Sequence, residues 1–504
     1  MPTHSGGMAV NMKSTYTVVK STHTCVSLHN GIPTLYVNNK PIYLSAYMTY
    51  LEEHARYNDF AAAGYNMYTF PAYFAGRGIN VHSGLGPFRR GIFDKEGSDD
   101  FSVFDNDIYL ILKSNPNAFI FPRISLDMPE WWEDKYPSEV NKTVDGRVLR
   151  ESFSSYQWRK DASSMLYRLI DHIECSDYSN NIIGYHLAGG GTEEWVHFGN
   201  PIGGFGDSAL EGYRNYLKRK YENDVSKLRI DFNDNDLDFD NIYLPQNYKI
   251  YEDINTSLID KTISKNLLEF LAYQSWVIAD AICYFAKAVK EKIKNRLIVG
   301  AFYGYTNEII DARNGHHSLK VLLRDKNIDF ICSPNSYSHT RAPGIDWANM
   351  SVLDSVKMHG KLWLSECDTR TWLTRPLKEA RSSICPDGAY QDGVWKGPES
   401  EIISKWLIRK CFARSLTTGT GHWWFDMWGG WFADEKLMQE LGEYIIIQDN
   451  SLMNRDRSSI SEVAVVVDED ALRYLNVKTG IGIEWNYEQR IALGWTGAPY
   501  DIFD

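Results

Sequence analysis

The sequence predicts an α/β protein built as a (β/α)8 barrel, or TIM barrel, over residues 41–450. Eight short apolar runs alternate with longer segments of helical texture. The runs are apolar along nearly their whole length, as in parallel strands that are covered on both faces. Eight βα units in this order are typical of a closed barrel. A doubly wound open sheet is the alternative that the pattern leaves open.

Each predicted strand is accompanied by a helical segment, in some cases after a long loop. The acidic stretch 222–262 lacks periodicity and is predicted to be a surface excursion after the fourth strand. Long loops at this end of a barrel often shape a binding site, but a solvated decoration fits equally well. The predicted strands are 42–50, 65–74, 118–129, 182–191, 297–305, 328–337, 361–368 and 420–428.

Two segments flank the predicted barrel. In the N-terminal extension 1–40, residues 24–40 predict a hairpin that covers the bottom of the barrel. Residues 451–504 contain a fresh apolar β-run, a helix-like segment and a second short strand. Two strands and one helix cannot bury a parallel sheet. We therefore expect either an apparently truncated second α/β domain or a segment that docks on the barrel or on another subunit.

Composition excludes several classes of protein. The 504 residues carry a net charge of −12 without a basic stripe, which argues against nucleic acid as a partner. No run approaches the roughly 20 apolar residues that a membrane span needs, and the first residues show no secretory pattern, so a cytoplasmic location is expected. Seven cysteines without a CxxC pair argue against a disulfide framework or structural zinc. An aromatic content of 14% suits either a large core or a sugar-binding cleft.

Carboxylates follow two of the predicted strands at the end where barrels carry their chemistry. Glu193 and Glu194 follow the fourth strand, and Glu366 ends the seventh. A carboxylate at the tip of an apolar strand is costly unless it is paired, so a purely structural ion pair of Glu366 with Arg370 or another arginine is the alternative. Two carboxylates across a cleft suit glycoside cleavage, where one protonates the leaving oxygen and the other attacks the anomeric carbon.

Three stretches carry a resemblance to a known family: GYHLAGGGTEEW, GKLWLSECDTRT and GHWWFDMWGGWF. They resemble barrel glycoside hydrolases with the acid/base after strand four and the nucleophile at strand seven. Among these they are most similar to family 42 β-galactosidases and their uncharacterised relatives. Residues 462–504 resemble the opening of that family's flavodoxin-like domain, which mediates trimerisation.

The resemblance implies a retaining β-glycosidase with Glu194 as acid/base and Glu366 as nucleophile. Glu194 is preferred to Glu193 because it directly precedes Trp195, as in the relatives. The resemblance also implies a carbohydrate substrate, no metal or organic cofactor, and a homo-oligomer such as a trimer. The chain departs from the family in having Thr192 and Glu193 where an Asn usually precedes the acid/base, and in lacking the family's zinc-binding cysteine cluster.

Further residues at the strand ends are predicted to contact the sugar. Arg123 could keep Glu366 ionised, and the resemblance implies that Tyr337 hydrogen-bonds the nucleophile. Alternation along the eighth strand puts Trp424, Asp426 and Trp428 on one face, which we assign to the barrel interior. The predicted substrate-binding residues are Arg123, Trp195, Tyr303, Asn335, Tyr337, Trp424, Asp426 and Trp428.

Three alternatives stay open. The barrel could bind carbohydrate without activity, or cleave a mannoside, glucoside or fucoside, because these sugars differ only in hydroxyl orientation. A metal-dependent hydrolase would have to draw on the histidines, none of which shows HxH or HExxH spacing. Those histidines are His54, His82, His186, His316, His317 and His422.

Overall fold

The computed structural model describes residues 21–199, 203–246, 255–262, 264–346 and 349–504. Its central sheet is entirely parallel and confirms the predicted barrel, with ten strand segments that make up eight strands. The segments are β4 (Ser45–Met48), β5 (Met67–Tyr68), β6 (Pro71–Tyr73), β7 (Phe119–Ile120), β8 (Arg123–Ser125), β11 (Gly184–Ala188), β12 (Ile298–Phe302), β13 (Phe330–Pro334), β14 (Leu362–Cys367) and β15 (Gly421–Phe425).

The second and third barrel strands are each interrupted, which accounts for the two additional segments. β5 pairs with β7 and β6 pairs with β8, so the two broken strands run side by side and close the barrel. Pro71 opens β6 and Pro122 lies between β7 and β8. A proline has no N–H to donate to the ladder, but Pro71 is itself paired with Arg123 in β8, so the start of β6 is still part of the sheet.

Helices cover the outside of the sheet, and several begin at a side-chain cap. Ser155 accepts the backbone N–H of Trp158, and Asp434 accepts that of Leu437, as is typical of N-caps. The helices are α1 (Tyr57–Ala62), α2 (Ser102–Ser114), α3 (Glu130–Lys135), α4 (Tyr156–Cys175), α5 (Asp207–Lys220), α6 (Val225–Phe232), α7 (Lys265–Lys292), α8 (Leu319–Arg324), α9 (Leu353–Met358), α10 (Leu377–Ala380), α11 (Glu401–Thr418), α12 (Glu435–Asn454) and α13 (Gln489–Trp495). None of those helices is both long and apolar enough to span a bilayer.

The N-terminal hairpin lies against the N-terminal ends of barrel strands. β1 (Thr24–His29), β2 (Ile32–Val37) and β3 (Lys40–Ile42) form a small antiparallel sheet. The hydroxyl of Thr24 donates to the carbonyl of Ile183 at 2.7 Å and accepts the N–H of Ile298 at 2.9 Å. Both partners lie at the N-terminal ends of β11 and β12, so the hairpin is attached away from the strand ends that carry the carboxylates. A second hairpin, β9 (Val140–Lys142) and β10 (Val148–Glu151), lies in the loop after the third strand.

The C-terminal segment forms a two-stranded parallel sheet that packs on the barrel. β16 (Val463–Val466) pairs with β17 (Tyr500–Phe503), and α13 lies between them in the chain. The N–H of Ile502 donates to Asp354 in α9 at 2.8 Å, so β17 docks on a barrel helix. Docking on the barrel is one of the two arrangements that the sequence predicts; a flavodoxin-like domain stays a prediction.

The barrel interior is filled by side chains from alternate strands. The ring of His186 on β11 lies 4.6 Å from that of Phe302 on β12 and 5.8 Å from that of Trp423 on β15. Arg123, on β8, lies in the same interior with its guanidinium 5.6 Å from the Phe302 ring. These contacts fix which face of each strand points inward.

Candidate active site

The loop after β11 presents two adjacent glutamates at the barrel mouth. Thr192, Glu193 and Trp195 have φ angles of 55°, 67° and 61°, in the left-handed region that non-glycine residues seldom adopt. The N–H of Trp195 donates to the carbonyl of Gly189 at 2.7 Å, which closes the loop on itself. Such backbone strain persists only where the surroundings hold it, and it is common at functional sites.

Glu193 is held in a buried ion pair. Its Oε2 accepts Arg123 Nη2 at 2.7 Å and the hydroxyl of Tyr50 at 2.9 Å. The same guanidinium reaches Glu366 with Nη1 at 3.4 Å, so Arg123 contacts carboxylates from both the loop after the fourth strand and the end of the seventh. Desolvation raises the pKa of Glu193, while Arg123 opposes the rise.

Among the residues that the structure describes, Glu194 is hydrogen-bonded by hydroxyls and by no cation. The hydroxyl of Tyr305 donates to Oε1 at 3.1 Å, and that of Thr192 lies 2.7 Å from Oε2. The side chain keeps partial exposure at the barrel mouth, yet desolvation raises its pKa to about 7. The two hydroxyl bonds favour the carboxylate and limit the rise.

Glu366 ends β14 and is almost completely buried. Desolvation raises its pKa, Arg123 opposes that rise, and the negative charge of Glu194 adds to it. The two carboxyl groups therefore affect each other's ionisation, whereas Glu193 is not among the main influences on Glu366. This coupling favours Glu194 over Glu193 as the partner of Glu366 in chemistry.

Asp368, two residues beyond Glu366, accepts hydrogen bonds from two arginines, Arg341 and Arg370. Arg341 Nη2 lies 2.6 Å from its Oδ1, and the hydroxyl of Tyr337 donates to its Oδ2 at 2.8 Å. Burial alone would raise the pKa of Asp368, but Arg341 and Arg370 outweigh burial and hold it below its ordinary value. The expected bond from Tyr337 to the nucleophile is thus replaced by one to Asp368.

A wall of aromatic rings extends from the carboxylates. Tyr50, which bonds Glu193, stacks on Phe88 at 4.1 Å between ring centroids. Trp428 lies 6.3 Å from Tyr50 and 6.1 Å from Trp395, with interplanar angles of 30° and 29°. Stacked rings of this kind suit the apolar faces of a sugar. Trp428 thus lies beside Tyr50, and its contact with a sugar stays a prediction.

Trp424 and Asp426 do not reach the carboxylates, so the assignment of their face to the interior is wrong. Trp424 donates to the hydroxyl of Tyr65 at 2.9 Å and packs beside Tyr444 of α12, outside the sheet. Asp426 accepts the hydroxyl of Tyr47 at 2.8 Å and two backbone N–H groups of its own loop. It holds the loop after β15 in shape.

Three other predicted sugar contacts also have their polar atoms engaged elsewhere. The hydroxyl of Tyr303 lies 2.9 Å from the carbonyl oxygen of Ser275 in α7. Asn335 Nδ2 lies 3.3 Å from the sulfur of Cys411 in α11. Trp195 Nε1 donates to the carbonyl oxygen of Leu187 on β11, the strand that precedes its loop. The polar atoms of these three side chains therefore do not bond Glu193, Glu194 or Glu366.

Tyr50 and Tyr305 were not among the residues predicted from the sequence, and His316 was named there only as one of the histidines available to a metal. His316 Nε2 lies 2.9 Å from the carbonyl oxygen of Glu194, and the N–H of Tyr305 lies 3.3 Å from its Nδ1. Tyr50 and Tyr305 are the last residues of the predicted strands 42–50 and 297–305, which was the available signal. His316 stands in a loop and gave none.

The six histidines that the sequence offers for a metal do not come together as a metal site in the part of the chain that the structure describes. Within the described ranges, no three His, Cys, Asp or Glu side chains come together in a way that could hold a metal ion. His186 and His422 are buried among aromatic rings, and desolvation lowers the pKa of both. His316 and His317 are committed to backbone carbonyls.

Comparisons with known proteins bear on the family and the fold. A family model described as Beta-galactosidase, for glycoside hydrolase family 42, matches residues 92–382, more than half of the chain. A search of curated proteins gives no match.

Solved structures share the fold at low sequence identity. Gan42B, a family 42 β-galactosidase from G. stearothermophilus, is 14% identical with a TM-score of 0.55 over 96% of this chain and 66% of that one. The β-galactosidase from Bacillus circulans sp. alkalophilus is 15% identical with a TM-score of 0.54, over 92% of this chain and 65% of that one. The catalytic domain of β-amylase from Paenibacillus polymyxa is 13% identical with a TM-score of 0.52, over 86% and 98%. The chain thus spans just under two thirds of the two β-galactosidases.

Proposed function

The chain belongs to glycoside hydrolase family 42, and on that basis we propose that it is a retaining β-glycosidase acting on β-galactosides. Glu194 is the acid/base and Glu366 the nucleophile. The observation that carries this assignment is the contrast in their partners: Glu194 is bonded by hydroxyls, whereas Glu366 lies against the guanidinium of Arg123. A carboxyl without a cation holds its proton more readily than one beside a cation.

In the first step, protonated Glu194 gives its proton to the glycosidic oxygen as the bond to the anomeric carbon breaks. The Glu366 carboxylate attacks that carbon and forms a covalent glycosyl ester. The pKa of about 7 for Glu194 keeps the proton available near neutral pH. Arg123 stabilises Glu366 in its charged form.

In the second step, Glu194, now a carboxylate, takes a proton from water. The water oxygen attacks the anomeric carbon on the face that the aglycone left, and the ester bond to Glu366 breaks. Two displacements restore the β configuration. Glu193 serves as the buried partner of Arg123 and holds that guanidinium in place through Nη2.

A panel of 4-nitrophenyl β-glycosides tests the assignment. We expect the galactoside to be hydrolysed fastest among galactoside, glucoside, mannoside and fucoside. Glu366→Gln should lower kcat at least about 10⁴-fold while the protein remains folded. A chain that binds galactose but hydrolyses none of the panel would be an inactive carbohydrate-binding barrel and would refute the proposal.

We also propose an assembly and a cellular location for the protein. Residues 451–504 begin the second domain of a homo-oligomer, by analogy with the trimers of the family, and the protein acts in the cytoplasm. The exposed side chains of Val463 and Val466 on β16 suit a surface that other residues cover. Light scattering on the protein should give a mass of three chains, and a strict monomer would contradict the assembly.

A further inference from the structure

Arg370 lies near Glu366, the candidate nucleophile. Of its three guanidinium nitrogens, Nη1 makes the hydrogen bonds to residues that the structure describes. Its Nη1 donates to the backbone carbonyl of Asp368 at 2.7 Å and to the carboxylate of the same residue. Its guanidinium carbon lies 5.2 Å from the ring centre of Trp395 and 5.1 Å from that of Trp431. The side chain is 4% exposed, so its position is fixed between the two rings.

The remaining donors of Arg370 have no acceptor. Nε and Nη2 are buried, and neither has a hydrogen-bond partner among the residues that the structure describes. These two nitrogens form one edge of the guanidinium, with parallel N–H bonds that match the two oxygens of a carboxylate, sulfate or phosphate. Leaving a buried donor without an acceptor is unfavourable, so a ligand that supplies two oxygens would be stabilised there.

Asp368 cannot satisfy this edge. Its Oδ1 already accepts Arg341, and its Oδ2 accepts both Tyr337 and Nη1 of Arg370. Two guanidinium groups therefore share one carboxylate, and the cluster keeps a positive charge. The indole nitrogens of Trp428 and Trp431 are also buried without an acceptor in the described part of the chain. The neighbourhood thus offers donors and lacks acceptors.

A chain of aromatic rings connects Arg370 to the candidate carboxylates. Trp395, which covers Arg370, is stacked on Trp428, and Trp428 continues to Tyr50 beside Glu193. Arg370 is also among the groups that oppose the rise in the pKa of Glu366, so its charge lies close enough to act on the candidate nucleophile.

We propose that Arg370 binds an anionic substituent, a carboxylate or a sulfate ester, on the sugar at or next to the cleaved bond. This inference rests on the proposed glycosidase function and names its substrate class as acidic galactosides. The Nε–Nη2 edge selects them because a neutral hydroxyl supplies one acceptor and no charge, whereas an anionic group supplies two charged oxygens.

Arg370→Lys is the sharpest test, because lysine keeps a positive charge beside Asp368 and loses the two-pronged edge. The substrates are 4-nitrophenyl β-D-galactopyranoside, its 3-, 4- and 6-O-sulfates, and the matching β-D-galacturonide. We expect at least one anionic substrate to exceed the neutral one about 10-fold or more in kcat/KM. Arg370→Lys should abolish that preference, measured as the ratio of kcat/KM for each anionic substrate to that for the neutral glycoside. Arg409→Lys, at an exposed pair on α11, is the matched control.

Binding separates this inference from the proposed function. Glu366→Gln and the Glu366→Gln/Arg370→Lys double variant are titrated calorimetrically with galactose, galacturonate and galactose 6-sulfate. Tighter binding of an anionic sugar that only the double variant loses supports the inference even if no glycoside is cleaved. The inference is overturned if the anionic sugars bind no better than galactose, or if Arg370→Lys weakens all ligands equally. Preference for a sulfate over the galacturonide, or the reverse, identifies the substituent.

Discussion

His316 holds the backbone of Glu194, with Nε2 2.9 Å from the carbonyl oxygen of that residue. A carbonyl can only accept, so Nε2 carries the hydrogen and Nδ1 accepts the N–H of Tyr305 at 3.3 Å. Burial lowers the pKa of His316 to about 3, which keeps the ring neutral and this tautomer intact at ordinary pH. One imidazole therefore positions both the candidate acid/base and the residue that bonds its carboxyl.

Replacing this imidazole should impair the step that needs the acid. We expect His316→Leu to lower kcat for alkyl β-galactosides about 10- to 100-fold, with KM changed by less than about 3-fold. His316→Gln can restore a donor near the Nε2 position and should recover part of the loss. Steady-state kinetics on both variants give the changes in kcat and in KM separately.

The comparison substrate for His316 is a dinitrophenyl β-galactoside, whose phenolate leaves without a proton. Its glycosylation rate should fall much less than that of the alkyl glycosides in His316→Leu. An equal loss on both substrates would show that His316 supports the fold and has no positioning role.

The pH dependence of the alkyl glycosides should follow the proton on Glu194. Its pKa is raised to about 7, and an acid acts only while protonated, so kcat/KM should be retained below pH 7 and lost above it. Tyr305→Phe removes a bond that favours the carboxylate and should move the alkaline limb upward by about one pH unit. A limb that stays near pH 7 in Tyr305→Phe, or that moves downward, would contradict the assignment. The dinitrophenyl glycoside should lack this limb.

The charged residues of the site could be predicted because they interrupt apolar strands. Arg123 on β8 and Glu366 at the end of β14 have no reason to lie in such runs unless they pair or act. The eight strands were also recognisable, since each is a short apolar run beside a helix.

The face of each strand could not be predicted, because a strand covered on both sides is apolar on both. Phe302 and Trp423 point inward, so Tyr303 and Trp424 point outward, each one residue from the inward position. A shift of one residue exchanges the two faces of a strand. His316 escaped prediction for another reason: its role depends on a loop whose path is set by tertiary contacts.

Stereochemistry tests the nucleophile independently of mutation. Direct attack by Glu366 requires the two carboxyl groups to lie roughly 5–5.5 Å apart, which leaves no room for a water between them. Proton NMR of the first product from an aryl β-galactoside should therefore show the β anomer before mutarotation. An initial α anomer would indicate inversion and remove Glu366 from the nucleophile role.

The last prediction separates the two adjacent glutamates. Glu194→Ala should still form the glycosyl ester from a dinitrophenyl β-galactoside, because that leaving group needs no acid. Deglycosylation then lacks its base, so the ester should accumulate, with a burst of dinitrophenolate and a lowered KM. Azide attacks the ester without base assistance and should restore turnover, yielding the β-galactosyl azide.

Glu193→Ala should behave differently, because Glu193 is the buried partner of Arg123 and Tyr50. Removing it leaves part of a buried guanidinium without its acceptor, so we expect a lowered melting temperature. Azide should bring no rescue, since the base for deglycosylation is still present. Glu193→Gln, which keeps an acceptor for Arg123, serves as the matched control and should recover much of the stability. If azide rescued Glu193→Ala while Glu194→Ala stayed near wild type, the acid/base would be Glu193, and the hydroxyl bonds of Tyr305 and Thr192 would have a structural role alone.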